Sequence, residues 1–503
     1  MPTYAALANR PAGWLWTGIF SRNTADYNGY LSIVEEVRQG ASRTHNLFTA
    51  EPHHAFQVRP FYFFLGLLGR LMPSLSGVAL MEIGRFIAIL WFLIVLSKLV
   101  RRIYDTNFER LVAFLIVVLG SGLGWLRWTP DPPDLRIVET STFLALLSPP
   151  LYCESLALFA GILFCLEGAW SAKSNSSRLR YSLIAGIQAL WLGFDRPFSL
   201  APLSAAVGIS AVLFVMRSRA KVRQLLLSAL LLLCGTGIAI TYQIVALRSI
   251  PVYAAWNRQH ILPTPDVVRM LLACGLLLPL AIAGLRRLFR IRPYLTALVS
   301  CYAILSFAFS RFPVQFQERF LEGMPLCLAL LAGSGVIAIL EKFPSTVTRK
   351  IGACIFIALL MPSSIVGILK DYKVLKQRTA PQFLPSEMIE AINSLKQIAA
   401  PGEAILSAES SGNFIPAYSA RPVVLGQQVQ TASFLEKRRL VTSVLSENIP
   451  DAKRRQLLAK SGARYFFWGP EERALSQGHF QPDKAGYLQQ VYANRMVKIY
   501  RIL

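Results

Sequence analysis

Long apolar runs alternate with short polar segments through the middle of the chain. A run of about 20 apolar residues is long enough to cross the hydrocarbon core of a bilayer as a helix. The pattern therefore predicts a polytopic α-helical membrane protein with about ten spans. The predicted spans are 78–99, 111–126, 146–170, 181–194, 197–216, 224–247, 267–285, 294–309, 321–340 and 351–369.

The two ends of the chain are more polar than its middle. Residues 1–77 are expected to form a first loop on the outer face with interfacial helices, because the apolar segment Pro60 to Leu71 is too short to cross. Residues 78–370 then form the transmembrane domain. Residues 381–503 alternate short β-like runs with helical stretches, which predicts a separate soluble α/β domain.

Composition agrees with a membrane protein. Apolar residues make up 54% of the 503 residues, which is too large a share for a soluble chain of this length. All seven cysteines fall inside apolar runs, so the polar ends need no disulfides. No spacing of cysteine and histidine indicates a metal or redox centre.

The net charge of +24 is distributed as membrane topology requires. One set of alternate loops, which includes 98–110, 217–223 and 286–293, holds eighteen Lys and Arg residues, and the other set holds seven. The positive-inside rule places the richer set in the cytoplasm and, with ten crossings, both polar ends on the periplasmic face of a bacterial inner membrane. An outer N-terminus with no preceding span suggests a further helix upstream of Met1 or a miscounted span. The sequence contains no basic surface domain with interleaved aromatic residues, so nucleic acid is not expected as a partner.

The most informative polar stretch lies ahead of the first span. Asp26 is a candidate general base for an incoming hydroxyl group, although it could instead cap the helix predicted from Tyr27 to Arg38. Glu51 and the adjacent His53 and His54 are candidate substrate-binding residues. They also leave a divalent metal possible, but this spacing is too weak to predict a metal site.

Arginine is suited to the phosphate of a lipid-linked donor, because its guanidinium group binds phosphate through two hydrogen bonds. Arg59 in the first loop is one candidate. Arg311 and Arg319, near the start of a later span, are two more, and an ion pair of Arg319 with Glu318 is the structural alternative. Asp195 and Arg196, at the outer end of a helical hairpin, are ionisable residues near membrane depth, where such groups tend to be functional. Glu35 and Glu36 are expected on a solvated helix face.

Short motifs spread along most of the chain resemble the integral-membrane glycosyltransferases of the GT-C superfamily. The resemblance is nearest to the bacterial branch related to the protein mannosyltransferases and their aminoarabinose-transferring relatives. The motifs are Asp26, Tyr30, Gly40, Glu51-Pro52-His53, Pro60-Phe61-Tyr62 and Leu65-Gly66 in the first loop, Gly120 to Trp125, Ser148-Pro149-Pro150, Gln317 to Phe320 with Pro325-Leu326, Gly412 to Tyr418, and Arg464 to Gly469.

The resemblance implies an inverting transferase that takes a sugar from a polyprenyl-phosphate donor within the membrane lipid to a glycan, lipid or protein acceptor. In that superfamily the first outer loop carries an essential acidic residue, which Asp26 matches, and a transmembrane helix precedes the loop. No cofactor is implied. Two other classes stay open, a flippase of lipid-linked saccharides and a non-catalytic envelope scaffold.

Overall fold

The computed structural model describes residues 2–21, 24–217, 222–446 and 448–503. The chain divides into two compact units. The first unit contains Met1–Ile83, Val245–His260 and Tyr372–Leu503, and the second unit contains Gly84–Ile244 and Ile261–Asp371. The polar residues ahead of the first predicted span and those behind the last therefore belong to the same unit.

Most described elements are α-helices. In chain order they are α1 (Pro2–Asn9), α2 (Thr24–Arg38), α3 (Pro60–Leu71), α4 (Gly77–Ile103), α5 (Asn107–Leu119), α6 (Pro133–Arg136), α7 (Thr142–Leu147), α8 (Pro150–Ser171), α9 (Asn175–Asp195), α10 (Leu200–Arg217), α11 (Val222–Ser249), α12 (Pro251–Gln259), α13 (Val267–Cys274), α14 (Leu277–Ile291), α15 (Pro293–Phe309), α16 (Met324–Leu340), α17 (Thr346–Leu360), α18 (Pro362–Lys376), α19 (Ser386–Ile398), α20 (Glu409–Ser419), α21 (Phe434–Ser446), α22 (Asp451–Lys460) and α23 (Pro470–Ser476). The strands are β1 (Trp14–Trp16), β2 (Phe383–Pro385), β3 (Ile405–Leu406), β4 (Tyr465–Trp468), β5 (Leu488–Ala493) and β6 (Lys498–Ile502).

The prediction of a polytopic helical membrane protein is confirmed. Among the described residues, five helical stretches are long and apolar enough to cross a membrane, and two bent helix pairs pass the same test together. The five are Gly77–Ile103, Pro150–Ser171, Pro197–Phe214, Leu225–Ser249 and Gln317–Leu340. The pairs are α13 with α14, bent by 67°, and α17 with α18, bent by 47°.

The other three predicted spans correspond to α5, α9 and α15. The helices α5 and α15 have 13 and 17 residues, which is short for a straight crossing. The helix α9 has 21 residues, but it begins with a polar turn that contains Arg178 and Arg180. Each predicted span thus has a helix or a bent pair at its place, and the total of ten crossings stays a prediction.

The second unit is built around α8 and α16. In the most apolar stretch of α8, 94% of the residues are buried, and in the stretch Gln317–Leu340 that contains α16 the share is 89%. In α4 the share is only 33%. Close crossings rely on small residues: a Cβ atom on Gly335 of α16 would lie 2.0 Å from the carbonyl oxygen of Leu280 in α14. Small residues let helix backbones approach where lipid provides no hydrophobic driving force between helices.

The first unit contains the predicted α/β region. Its sheet has the strand order β3-β4-β6-β5, with β3 parallel to β4 and the other pairs antiparallel. Phe466 pairs with Tyr500 in the middle of this sheet, and both are buried. Strands joined through helices and a final hairpin agree with the α/β pattern expected from the sequence.

The N-terminal residues contribute to the same unit. Strand β1 pairs antiparallel with β2, so that Leu15 faces Leu384. The Val423 amide donates to the Leu47 carbonyl at 3.0 Å, and the Thr431 hydroxyl donates to the Phe48 carbonyl at 2.7 Å. These bonds satisfy backbone groups that would otherwise be buried without partners.

Candidate functional site

Charged side chains from distant parts of the sequence meet inside the second unit. The Arg196 guanidinium donates through Nη2 to Glu139 Oε1 at 2.5 Å and through Nε to Glu322 Oε2 at 2.9 Å. Arg319 Nη1 lies 3.9 Å from the same Glu139 oxygen. The Arg196 side chain is only 1% exposed, so this is a buried ion cluster.

Breaks between helices place these residues. Arg196 follows the last residue of α9 and precedes Pro197, whose ring cannot continue a helix. Glu139 lies in a short 3₁₀ turn, Val138–Thr140, and Glu322 caps another, Gln317–Leu321. Non-helical backbone of this kind is tolerated in membrane proteins where protein or a cavity surrounds it.

Neighbouring groups hold the cluster in place. The Arg196 guanidinium lies over the Tyr152 ring, 4.6 Å from its centroid, which is a cation–π geometry. The Tyr302 hydroxyl donates to the Glu322 carbonyl. Gly323 then turns the chain into α16 with a φ of 81°, a conformation that favours glycine.

The formal charges within the cluster balance. Burial raises the pKa of Glu139, but the charges of Arg196 and Arg319 and the Arg196 hydrogen bond outweigh it, so that this pKa is lowered. Glu139 is therefore ionised at neutral pH. Two carboxylates and two guanidinium groups leave no net charge, which limits the cost of burying them.

A small cavity opens beside the cluster. It is lined by Val138, Glu139, Ser141, Thr142, Ala145, Tyr152, Leu156, Glu322, Gly323 and Pro325. Arg196 engages one oxygen of each carboxylate.

Two further arginines of the second unit have partners. Arg136 Nη2 lies 2.5 Å from Glu318 Oε1, and Arg136 Nε lies 3.2 Å from Asp131 Oδ2. The Arg311 guanidinium donates to the Pro265 carbonyl and lies 4.7 Å from the centroid of the Phe307 ring. Of the three arginines expected to bind phosphate, two lie in this unit: Arg319 adjoins the ion cluster and Arg311 lies in a separate contact.

The other predicted site residues lie in the first unit. Asp26 lies in the first turn of α2, which begins at Thr24 rather than at the expected Tyr27. It is therefore inside the helix and not at its N-cap. Its side chain is partly exposed, and a carboxylate in this turn interacts favourably with the helix dipole.

Glu51 and His53 take part in local contacts. Glu51 Oε2 lies 2.5 Å from Lys437 Nζ and also accepts from the Thr49 hydroxyl. Burial raises the pKa of Glu51, but these two donors outweigh it and lower the pKa. His53 Nε2 accepts from the Asn46 amide at 3.1 Å, which places its proton on Nδ1, 2.7 Å from the Glu51 carbonyl. Burial lowers the pKa of His53.

His54 is exposed, and Arg59 immediately precedes α3. The expectation that Glu35 and Glu36 lie on a solvated face is wrong. Glu35 is buried and lies 2.6 Å from Lys396 Nζ, because the C-terminal residues cover this face of α2 within the first unit. Glu36 lies 2.6 Å from His45 Nδ1.

Sequence reasoning missed Glu139, Glu322 and His45. Glu322 carried a usable signal, because it is a carboxylate in the first turn of the predicted span 321–340 and lies three residues after Arg319. Glu139 and His45 are single ionisable residues in loops, and their partners are remote in sequence. Among the described residues, no group of three or more His, Cys, Asp or Glu side chains is arranged to hold a metal ion.

The sequence matches no protein-family model and no curated protein. Solved structures do match. ArnT from Cupriavidus metallidurans, bound to undecaprenyl phosphate, has a TM-score of 0.54 at 14% identity over 99% of this chain and 97% of that chain. The oligosaccharyltransferase AglB from Archaeoglobus fulgidus, in complex with an inhibitory peptide and a dolichol-phosphate, has a TM-score of 0.53 at 12% identity over 97% and 72%.

A second structure of the Archaeoglobus fulgidus oligosaccharyltransferase, tethered to an acceptor peptide with an NVT sequon, has a TM-score of 0.55 at 12% identity. It covers 100% of this chain and 73% of that chain. Both proteins belong to the GT-C superfamily. At these identities the likeness shows the fold: the chain has a GT-C fold over nearly its whole length, as the sequence motifs predicted.

Proposed function

We propose that the chain is a membrane glycosyltransferase that moves a sugar from a polyprenyl-phosphate-linked donor to a glycan, lipid or protein acceptor. The observation that carries the proposal is the nearly full-length likeness to two GT-C proteins that were each solved with a polyprenyl phosphate. Helices long enough to cross a bilayer supply the environment from which such a lipid would enter.

The transfer takes place on the periplasmic face of a bacterial inner membrane in this proposal, and the C-terminal α/β domain lies there. The asymmetry of Lys and Arg between alternate loops supports this orientation. One of the loops expected in the cytoplasm, 217–223, includes residues 218–221, which lie outside the described ranges.

Asp26 is the proposed catalytic residue. Its carboxylate takes the proton of the acceptor hydroxyl while the hydroxyl oxygen forms a bond to the anomeric carbon. The bond from that carbon to the phosphate oxygen breaks, and its electron pair stays on the polyprenyl phosphate. Attack opposite the leaving group inverts the anomeric centre.

The leaving phosphate gains negative charge, which arginine side chains can stabilise. The candidates are Arg59 in the first unit and Arg311 and Arg319 in the second. Glu51, His53 and His54 belong to the loop behind α2 and are proposed to contact the substrate. Two bonds support a fixed loop conformation: Glu51 is tied to Lys437 in α21, and His53 is tied to Asn46 within the loop itself.

Release of polyprenyl phosphate tests the function. The purified full-length protein is incubated with a panel of polyprenyl-phosphate sugars and candidate acceptors, and the released lipid phosphate is measured. We expect release with at least one donor. If no donor is consumed but a lipid-linked saccharide crosses the bilayer of proteoliposomes, the flippase alternative replaces this proposal.

Asp26→Asn tests the proposed base. An amide keeps the shape of the side chain but cannot accept a proton, so we expect release to fall by about 100-fold or more with an unchanged melting temperature. Asp105→Asn is a matched control, because Asp105 is an exposed aspartate in a predicted cytoplasmic loop. Normal turnover by Asp26→Asn would remove Asp26 from the catalytic role.

A further inference from the structure

We propose that the side-chain amide of Gln430 binds a hydroxyl group of the acceptor within one helical turn of Asp26, and that the acceptor is a neutral glycan. This inference rests on the proposed transferase function and adds to it an acceptor-binding residue and the chemical class of the acceptor. The residues that carry it all belong to the first unit.

The side chain of Gln430 lies against the N-terminal part of α2. A Cβ atom on Gly29 would be 2.9 Å from Gln430 Nε2 and 3.7 Å from Gln427 Nε2. Gly29 follows Asp26 by three residues, and residues three apart are neighbours on a helix surface, with about 5–6 Å between their Cβ positions. The amide of Gln430 therefore lies within one helical turn of the proposed base.

Other side chains fix the loop that presents this amide. The Gln430 carbonyl accepts from Asn46 Nδ2 at 2.8 Å, and Gln430 Nε2 donates to Gln427 Oε1 at 2.7 Å. Gln259 Nε2 donates to the Thr431 carbonyl at 2.9 Å. A binding group that is positioned in advance loses less entropy when a ligand binds.

Gln430 is also accessible to a ligand. It is half-buried, whereas Gln427 is only 4% exposed. A primary amide has an oxygen that accepts and an NH₂ group that donates, so it binds a hydroxyl group in either role. Gln430 is therefore the amide of this pair that a ligand reaches.

A further amide in the same part of α2 is unsatisfied. Asn28 is 0% exposed, and neither its Nδ2 atom nor its Oδ1 atom has a hydrogen-bond partner among the described residues. A buried polar group without a partner costs about 1–3 kcal/mol, so its presence calls for a reason other than packing. The fold itself does not use this amide, which supports a functional role for the polar residues around Gly29.

The surroundings favour an acceptor without charge. Gln427 and Gln430 are neutral, and Glu36, two turns further along the same face of α2, lies 2.6 Å from its partner His45. A sugar carries further hydroxyl groups beside the one that reacts, whereas a serine or threonine side chain carries a single hydroxyl group. A hydroxyl-binding amide within one turn of the base therefore favours a neutral glycan over a peptide.

Binding of free glycosides tests the inference without a lipid donor. The full-length protein in nanodiscs is titrated with the methyl glycosides of glucose, mannose, galactose and N-acetylglucosamine, and with a peptide that contains serine and threonine. Saturation-transfer NMR measures the binding. We expect at least one glycoside to bind and the peptide not to bind. Binding of the peptide alone would overturn the assignment of a glycan acceptor.

Two variants act on the amide of Gln430 by different routes. Gln430→Leu removes it, and Gly29→Ala displaces it, because the added Cβ atom is too close to Nε2. Each variant should raise the Kd of the bound glycoside by roughly fivefold, the effect of one lost hydrogen bond. The atoms that crowd the new Cβ atom all belong to flexible glutamine side chains, and alanine favours the helix, so Gly29→Ala should not lower the melting temperature.

Gln428→Leu is the matched control, because Gln428 is an exposed glutamine of the same loop and is not among the atoms close to Gly29. Its Kd should equal that of the wild type. If Gln430→Leu fails to fold, Gly29→Ala decides alone. The inference is overturned if no glycoside binds, or if both variants keep the wild-type Kd.

Release of polyprenyl phosphate is measured separately, so that the two proposals fail independently. Glycoside binding that depends on Gln430, in a protein that releases no lipid phosphate, would keep the acceptor site and reject the transferase. Release of lipid phosphate without glycoside binding would keep the transferase and reject this acceptor site.

Discussion

Arg196 joins the two carboxylates of the buried ion cluster in the second unit. It touches both carboxylates and is nearly inaccessible to solvent. The sequence drew attention to it as an ionisable residue near membrane depth, but nothing in the sequence indicated its partners. Glu139 and Glu322 lie 57 and 126 residues away, and only the packing of several helices brings them together.

Arg196→Met should destabilise the protein strongly, because it leaves two buried carboxylates without their shared cation. Removing one partner of a buried ion pair costs about 3–5 kcal/mol. Thermal unfolding of the purified variant measures the effect. Arg136→Met is the comparison variant. The Arg136 side chain is 40% exposed, so its loss should destabilise the protein much less. Equal melting temperatures for the two variants would contradict the role given to Arg196.

His45 should make stability depend on pH. Its hydrogen bond to Glu36 is the largest cause that raises its pKa above the ordinary value. Because its pKa is higher in the folded state than in the unfolded state, His45 stabilises the fold fully at pH values below the unfolded pKa. This stabilisation is lost as pH rises through the folded pKa. The melting temperature of His45→Gln should therefore fall further below that of the wild type at pH 6 than at pH 8.5. His54→Gln controls for the loss of an imidazole, and a pH-independent difference for His45→Gln would contradict the assignment.

At the scale of elements, the helices were predictable and their exact breaks were not. Apolar runs predict a helix wherever about 20 such residues follow one another, and each predicted span has its helix or bent pair. The 67° bend between α13 and α14 escaped this reasoning, because Gly275 interrupts a run that stays apolar throughout. Strand β1 also escaped it, since Trp14–Trp16 pairs with residues about 370 positions away.

The crossing of α14 and α16 should tolerate no side chain at its glycines. A Cβ atom on Gly284 would lie 2.0 Å from the Leu331 carbonyl oxygen, which is a backbone atom that cannot move aside cheaply. Gly284→Ala should therefore lower the melting temperature by several degrees. Gly237→Ala in α11 is the control, because nothing lies within 4 Å of its Cβ position. Gly237→Ala should leave the melting temperature unchanged or raise it, because alanine favours the helix more than glycine does. Equal effects at both glycines would argue against a tight crossing.

At the scale of the whole molecule, the sequence separated a membrane domain from polar ends but could not show that the ends share one unit. Apart from the short pairing of β1 with β2, many contacts between them are single hydrogen bonds and ion pairs, such as Glu35 with Lys396 and Leu47 with Val423. Such contacts leave no periodic signal in either segment. The candidate base Asp26 was accessible from its motif, whereas the ion cluster and its cavity required the three-dimensional arrangement.

The shared unit predicts how the C-terminal segment behaves when it is expressed alone. In the full chain the Val423 amide is bonded to Leu47, and the Thr431 hydroxyl to Phe48, so a fragment of residues 381–503 lacks both acceptors. Hydrogen exchange at Val423 should be much faster in the fragment than in the full chain, because an amide without its partner opens to water. The amide of Phe466, in the strand pair of β4 and β6, supplies the internal control, since its ladder lies entirely within the fragment. Equal protection of Val423 in the fragment and in the full chain would mean that the C-terminal domain folds without the first loop. A fragment in which Phe466 also exchanges freely would show that the whole sheet depends on the N-terminal residues.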